Sequence, residues 1–522
     1  MSASPKTHLA MADPDTVMTD GSASTTLDPA TAGSPIQKIP LEVLLRITYF
    51  LNTPELGKAR LLCRSIEQAL YTSFTNEFFT RKQFMISEES LQALIDISKS
   101  RLSRHLRKVH IGLDRFPQVP HIHGNDPRSL RLAEHYAGQF TLLSSGYHRE
   151  MLAEAFRNLK HLEDVVFRDF NSTRRTRDGP YRQWTSYGST TAYNETGTRP
   201  NQSTWGPEIT VAYGSTVFSS VLFALGQAGA RPKGIEYMSR SRNHLRDLAF
   251  NLPSYMEASV FPVLSNLEKL HLDVYLTGDD GFSAYPSATF SDAKLRKFLL
   301  QLTNVKHLRI NETQGSDTGP GALLGWLGQT STSSTSGTSP NPAPPASSAP
   351  TAIPPPGPPP PSFPLLEELN LGMMSVSPSR VLEALAKFAP TLQRLEMHKV
   401  ILTRRLPKDS TGPPPKVSFW TKFLERLKDV PNLDLHHIKI SCPQQQWVSR
   451  PAKSPVNFQA DNKNAIEYTG PDWKHYVGEM IPKVVVHYTP DEGDPDSDSD
   501  DGSHDEDDED DDGEEDEDEE ET

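Results

Sequence analysis

Two histidines one residue apart, His121 and His123, are the first candidates for chemistry, because on an extended strand they project from one side and could ligate a metal. No third histidine or carboxylate stands at a diagnostic spacing, so the pair reads as part of a surface loop. Cys63 and Cys442 are the only cysteines: they cannot form a disulfide framework, and no Cys-x-x-Cys or Cys/His cluster marks a zinc site. Gly319-Pro320-Gly321 lacks the third glycine and the preceding strand of a dinucleotide loop, and phosphate-loop, zinc-protease and nucleophile-elbow motifs are absent. The residues therefore predict no catalytic centre, no metal and no cofactor. One further cluster combines Arg174, Arg175, Arg177 and Arg182 with Tyr181, Trp184 and Tyr187, and arginine beside aromatics can grip phosphate and stack bases. Set in polar sequence without apolar periodicity, it reads first as a solvated loop inserted between packed units. A contact to a protein substrate through Arg174, Arg175, Arg177, Tyr181 and Trp184 is the next reading, and nucleic acid the last.

The elements that must position any site begin at residue 39. Pro40 suits a first helical position and Glu42 a first turn, and Leu41, Val43, Leu44, Leu45, Ile47, Phe50 and Leu51 spread over an arc of about 220°. That is more apolar surface than a helix needs against its own domain. Thr53 is expected to cap a second helix with Pro54 behind it, and Leu56, Ala59, Cys63, Ile66 and Leu70 fall on one face of that helix. So short a bundle buries little surface, which argues for a partner protein over the remaining apolar arc.

At these residues the chain resembles an F-box. The family's hydrophobic-Pro start, acid, Ile, Leu before the turn, and hydrophobic-Cys-basic step stand here as Ile39-Pro40, Glu42, Ile47, Leu51, Leu56 and Leu62-Cys63-Arg64. Ile39 replaces the usual Leu, and Ile66 stands where many members carry Trp. The sequence from 76 to 116 is similar to the extension in filamentous fungal F-box proteins, so the likeness covers residues 36–116. It implies docking on the Skp-family linker of a cullin-RING ubiquitin ligase through Pro40, Ile47, Leu51, Leu56 and Leu62, with Glu42 and Cys63 in support.

A second pattern follows, Leu-x-x-Leu-x-Leu in expected strands alternating with helices. Leu267, Leu270, Leu272 and Val274 show it, as do Leu366, Leu369 and Leu371; further copies start at Leu106, Leu162, Leu245, Val305 and Leu392. Helices are expected over 88–98, capped by Ser87, and over 151–159, 294–302 and 381–388. The pattern resembles the leucine-rich repeats often joined to F-boxes, except that Tyr275 and Met374 stand where their asparagine is expected. Stacked strand-helix units leave an open surface suited to protein recognition.

Of 522 residues, 44 are Pro and 31 Gly, and the mean hydropathy is −0.53, so much of the chain is not core. No apolar run approaches a membrane span, and a cytoplasmic or nuclear location is expected. The expected organisation is a disordered leader at 1–35, the helical unit at 36–85, and a connecting helix with first repeat-like units at 86–170. A polar insert at 171–216 and repeat-like α/β sequence at 217–312 follow. A Ser/Thr/Pro-rich linker occupies 313–361, more repeat-like sequence 362–490, and an acidic disordered tail 491–522. No Lys or Arg lies in the PPPGPPPP run, which favours a spacer over a docking site for SH3 or WW domains. The tail holds 23 acids and no basic residue, leaving 53 basic against 44 acidic residues in the rest, a formal +9. Such a block solubilises, or makes salt-sensitive contact with a basic partner or with the stretch Lys99–Lys108.

The fold class expected is α/β: a small helical F-box followed by an irregular leucine-rich-repeat-like solenoid. The function expected is a non-catalytic adaptor that presents an unidentified protein substrate to a ubiquitin ligase. An F-box scaffold outside the ligase and a nucleic-acid- or chromatin-associated binder remain the alternatives.

Overall fold

The computed structural model describes residues 35–117, 126–171, 176–179, 185–200, 207–240, 243–276, 292–313, 323–329, 358–406, 414–448, 450, 452–459 and 463–488. Residues 1–34 of the expected leader, His121, His123 and the acidic tail lie outside them, as does the first half of the PPPGPPPP run. The chain divides between Ser73 and Phe74 into two compact units.

The first unit is helical. Helix α1 (Leu41–Tyr49) starts one residue later than the sequence suggested, with Pro40 as its N-cap. Asn52, not Thr53, caps α2 (Thr53–Arg60): the Glu55 N–H donates to Asn52 Oδ1 at 2.9 Å, and the Asn52 N–H donates to Glu55 Oε2 at 3.0 Å. This reciprocal box satisfies two otherwise orphaned donors. The single second helix expected from the apolar spacing is in fact two, because the chain turns at 61–63 before α3 (Arg64–Phe79). No glycine or proline causes that turn; an Arg60–Glu67 ion pair at 3.0 Å spans it.

In the second unit the strands are β1 (Arg81–Met85), β2 (Lys108–Gly112), β3 (Asp164–Arg168), β4 (Gly234–Met238), β5 (Lys269–Val274), β6 (His307–Glu312) and β7 (Glu368–Gly372). Then come β8 (Ser375–Val376), β9 (Arg394–His398), β10 (Ile401–Arg404), β11 (His437–Ser441) and β12 (Gln444–Trp447). The last three are β13 (Ser454–Phe458), β14 (Ala465–Thr469) and β15 (Val484–Val486). Ten form one sheet in the order β1-β2-β3-β4-β5-β6-β7-β9-β11-β14. All its pairings are parallel except that of β14. Strand order follows chain order with no reversal, so each unit is added beside the last.

Side chains alternate across this sheet. Val109 and Ile111, Val165 and Phe167, Leu270 and Leu272, Leu369 and Leu371, and Ile438 and Ile440 enter one continuous core. That core is completed by helices α4 (Glu88–Lys99), α5 (Pro127–Ser144), α6 (Tyr147–Asn158), α8 (Pro207–Ala228) and α9 (Ser254–Leu264), while Ala192 of α7 (Ser189–Thr196) packs with Met85, Phe116 and Leu132 in a smaller separate cluster. Helices α10 (Ala293–Leu299), α11 (Leu323–Gly328), α12 (Pro378–Phe388), α13 (Phe419–Lys428) and α14 (Trp473–Met480) follow. Packing runs from α4 to α6, α8 and α9, and separately through α11, α12, α13 and α14. After β7, β9 and β11 the same corner recurs, with Met373, Lys399 and Cys442 at φ 53°, 50° and 47°, and delivers the chain into β8, β10 and β12. These belong to a second sheet in the order β15-β13-β12-β10-β8.

Several expectations change. The copy at Leu245, Leu248 and Phe250 is not a strand: Leu245 makes one bridge to Val274, and 247–250 is a 3-10 turn. Asp247 explains the departure, because its Oδ1 accepts the N–H groups of Lys294 and Leu295, both at 2.9 Å, at the start of α10. The boundary placed at 216 falls inside the 22-residue helix α8, and Tyr213 is buried, its hydroxyl donating to the Asp114 carbonyl at 3.2 Å. Within the expected linker, α11 buries Leu323, Leu324, Trp326 and Leu327, and Trp326 Nε1 donates to the Pro358 carbonyl at 2.8 Å.

Candidate docking surfaces

The helical unit buries the aliphatic side chains Leu44, Leu56, Ile66 and Leu70. Against that small interior, its exposed apolar side chains are numerous: of eighteen large hydrophobics exposed among the described residues, eight lie between Ile36 and Leu62. Ile47 is 46% exposed, Phe50 70% and Leu62 63%. An isolated exposed Leu is ordinary, but this concentration in so short a segment is the signature of a partner-covered surface.

The residues singled out for adaptor binding separate on this basis. Ile47 on α1 and Leu62 in the α2–α3 turn are exposed, with Pro40 and Glu42 exposed at the start of α1. Leu51 and Cys63 are half-buried. Leu56, at 4% exposure, is spent on the interior. Sequence periodicity overlooked Leu61, the most exposed hydrophobic side chain described, because it placed this residue inside a continuous helix.

The second surface is the polar face of the ten-stranded sheet. Parallel register places Lys108, Asp164, Gly234, Lys269, His307, Glu368, Arg394 and His437 in one row across it. Charges in and beside the row pair off: Lys108 with Asp164 at 3.6 Å, Lys269 with Glu236 at 3.0 Å, Glu368 with His307 at 2.9 Å and with Arg394 at 3.4 Å. Burial pushes the Glu368 carboxyl up, but its hydrogen bond with His307, the nearby Arg394 guanidinium and Asn370 outweigh it and hold it below the usual range. Towards the C-terminal ends of the strands the polar side chains are buried. Asp169 accepts from Ser239 Oγ at 2.7 Å, from Asn243 Nδ2 at 2.9 Å and from the Arg240 N–H at 2.7 Å. Asp273 accepts from the Ser239 N–H at 2.5 Å and from Asn311 Nδ2 at 2.6 Å. Burial pushes Asp273 up to about 7, and it holds the neighbouring His271 well below its ordinary value, with Arg309 and Lys269 adding to the effect. The 3.7 Å approach of His271 Nε2 to Asp273 is therefore not an ion pair at neutral pH. These bonds knit adjacent strands, and no group of three or more metal-ligating side chains occurs among the described residues.

Of the insert residues read as a substrate contact, Arg174, Arg175, Tyr181 and Trp184 lie outside the described residues. Arg177 is committed to the fold, its Nε and Nη2 donating to the two carboxylate oxygens of Glu77 at 2.7 and 2.8 Å.

No family model matches the chain. No curated protein matches it either. Among solved structures it is similar to the one titled "Crystal structure of Rad7 and Elc1 complex in yeast", at 9% identity over 76% of this chain and 87% of that chain, with a TM-score of 0.22. At that score nothing is carried over from the likeness.

Proposed function

We propose that the chain is a non-catalytic substrate-recognition adaptor of an SCF-type cullin-RING ubiquitin ligase. The helical unit docks on the Skp-family linker through Ile47, Leu62 and their exposed apolar neighbours. The strand-ordered α/β region, read as an irregular leucine-rich-repeat-like solenoid, holds a protein substrate. The rate gain is proximity, since tethering turns a bimolecular lysine transfer into an effectively intramolecular one. One observation carries the reading: the F-box motif positions Ile47 and Leu62 are apolar side chains that the unit leaves in water.

The test is quantitative affinity purification of the full-length chain beside its Ile47→Glu variant. Loss of linker and cullin from the variant alone, with other captured proteins retained, supports the adaptor and marks the retained proteins as substrate candidates. Recovery of the linker without any cullin points instead to a scaffold outside the ligase. Failure of the intact chain to recover the linker refutes the proposal.

A further inference from the structure

Where the parallel strands of the second sheet end, a cleft of about 520 Å³ opens. Arg380 from the first turn of α12, Arg404 and Arg405 at and just past the end of β10, and Lys422 and Arg426 one turn apart on α13 all line it. None of the described residues that line it is a carboxylate. On the sheet face nearly every charge has an opposite neighbour, whereas among the described residues Arg404, Arg405, Lys422 and Arg426 have no carboxylate within 4.0 Å. Arg404 lies over the Phe419 ring, 5.6 Å from its centroid, which leaves its charge unneutralised. Lys422 and Arg426, four residues apart on one helix, repel each other. The N-terminus of the 11-residue α12 adds its own positive end, and its cap Ser377 makes no side-chain capping bond. A cleft so lined is stabilised by several negative charges held close together.

The path of the chain identifies their source. β10 is parallel to β12, β12 antiparallel to β13, and β13 antiparallel to β15, so β15 runs in the direction of β10. The chain therefore leaves β15 at the edge where Arg404 and Arg405 stand, three strand spacings or about 14 Å away. Tyr488 lies under Lys416, 6.0 Å from Nζ to ring centroid, two residues before the Ser418 that caps α13. An extended chain covers about 3.3 Å per residue, so about five residues beyond Tyr488 reach the cleft. There the acids begin: 23 of the residues from Asp491 to Thr522 are Asp or Glu, with no Lys or Arg. In the other basic stretch three cations are already engaged, Lys99 with Glu154, Arg107 with Glu163 and Lys108 with Asp164.

We propose that this cleft binds a run of acidic side chains, and that the chain's own acidic segment 491–522 is its occupant. The inference is independent of the ligase reading, and Ile47→Glu leaves it untouched. A substrate peptide of similar charge would then have to displace the segment.

A water-soluble carbodiimide, which joins carboxylates to amines only in direct contact, tests this on the full-length chain, because Lys422 is the sole amine among the five cations. The expected product links Lys422 to an acid in 491–522. It should vanish at about 1 M salt, where the Debye length is about 3 Å, and in an Arg404→Glu/Arg405→Glu variant, whose substitutions are at exposed positions. The companion measurement is anisotropy of a labelled decaglutamate peptide. A full-length variant with the acids of 491–522 changed to Asn and Gln should bind the probe at least tenfold more tightly than the unmodified chain. Equal binding by the two chains removes the segment as occupant, and absence of both crosslink and probe binding removes the site; either result overturns the proposal.

Discussion

Ile47→Glu separates an interface residue from a structural one. Full burial of an isoleucine contributes about 1.5–3 kcal/mol. Ile47 already has about half of its surface covered in the free chain, being 46% exposed. The remainder that a partner could cover is worth about 0.7–1.4 kcal/mol. A glutamate loses that term and adds the desolvation of an unpaired carboxylate, at least about 2 kcal/mol. The sum, about 3 kcal/mol or more, is at least a hundredfold in Kd. The free chain should scarcely notice, because a half-exposed position on a helix accepts glutamate within about 0.5 kcal/mol. Leu56→Ala supplies the contrast: at 4% exposure it should cost about 2–5 kcal/mol of stability, and any loss of binding would follow from unfolding. Calorimetric titration with a purified Skp-family linker, beside circular-dichroism melts, reads both quantities. The reasoning fails if Ile47→Glu binds within threefold of the unmodified chain, or if its binding falls only as far as its melting temperature does.

Gly372→Ala would place a Cβ 2.0 Å from Asn311 Oδ1 and displace the amide that bonds Asp273; a loss of about 2 kcal/mol is expected from urea midpoints, and no change would refute the account. His271 stays neutral when folded, but its unfolded counterpart takes up a proton below about 6.5, so its contribution is complete above that pH and lost as pH falls. His271→Gln should flatten the stability profile there by up to about 1.4 kcal/mol per pH unit. Asp273 acts in the opposite sense: with its folded pKa raised to about 7, stability on this group declines as pH rises from about 4 to 7, and Asp273→Asn should remove that decline. Arg177→Ala should cost about 1 kcal/mol through the lost two-pronged contact with Glu77, a coupling that a double-mutant cycle with Glu77→Ala would isolate.

The strands most legible in sequence were those whose core face carries three aliphatics at the Leu-x-x-Leu-x-Leu spacing, such as Leu267, Leu270 and Leu272 leading into β5. β1 escaped notice because it has Lys82 where β2 has Val109; as an edge strand it tolerates the charge, which lies over the rings of Phe79 and Tyr187. β4 escaped because Pro232 stands where Leu267 does before β5. β11 has Leu435, Ile438 and Ile440 in the right places and was legible had isoleucine been weighed with leucine. The false copy at Leu245 shows the limit of periodicity, since Asp247 is drawn away to cap α10 by a contact 47 residues distant. The same limit hid the basic cleft. Its cations come from three segments that no single window of sequence contains, and only the sheet order of β8, β10 and β12 brings their ends together.

Charge bookkeeping decides where recognition has most to gain. On the ten-stranded sheet an incoming ligand must break existing pairs, Lys269 from Glu236 or Glu368 from His307 and Arg394, and gains only the difference between the old and new bonds. At the cleft Arg404, Arg405, Lys422 and Arg426 have no carboxylate among the described residues to give up, so an acidic segment gains their whole interaction less its own desolvation. The balance is reversed for apolar ligands, which find no comparable opportunity at the cleft and a concentrated one between Ile36 and Leu62. The two surfaces therefore differ in what can bind them and in how salt acts on it. Raising ionic strength should empty the cleft, while leaving the apolar contact at Ile47 and Leu62 intact.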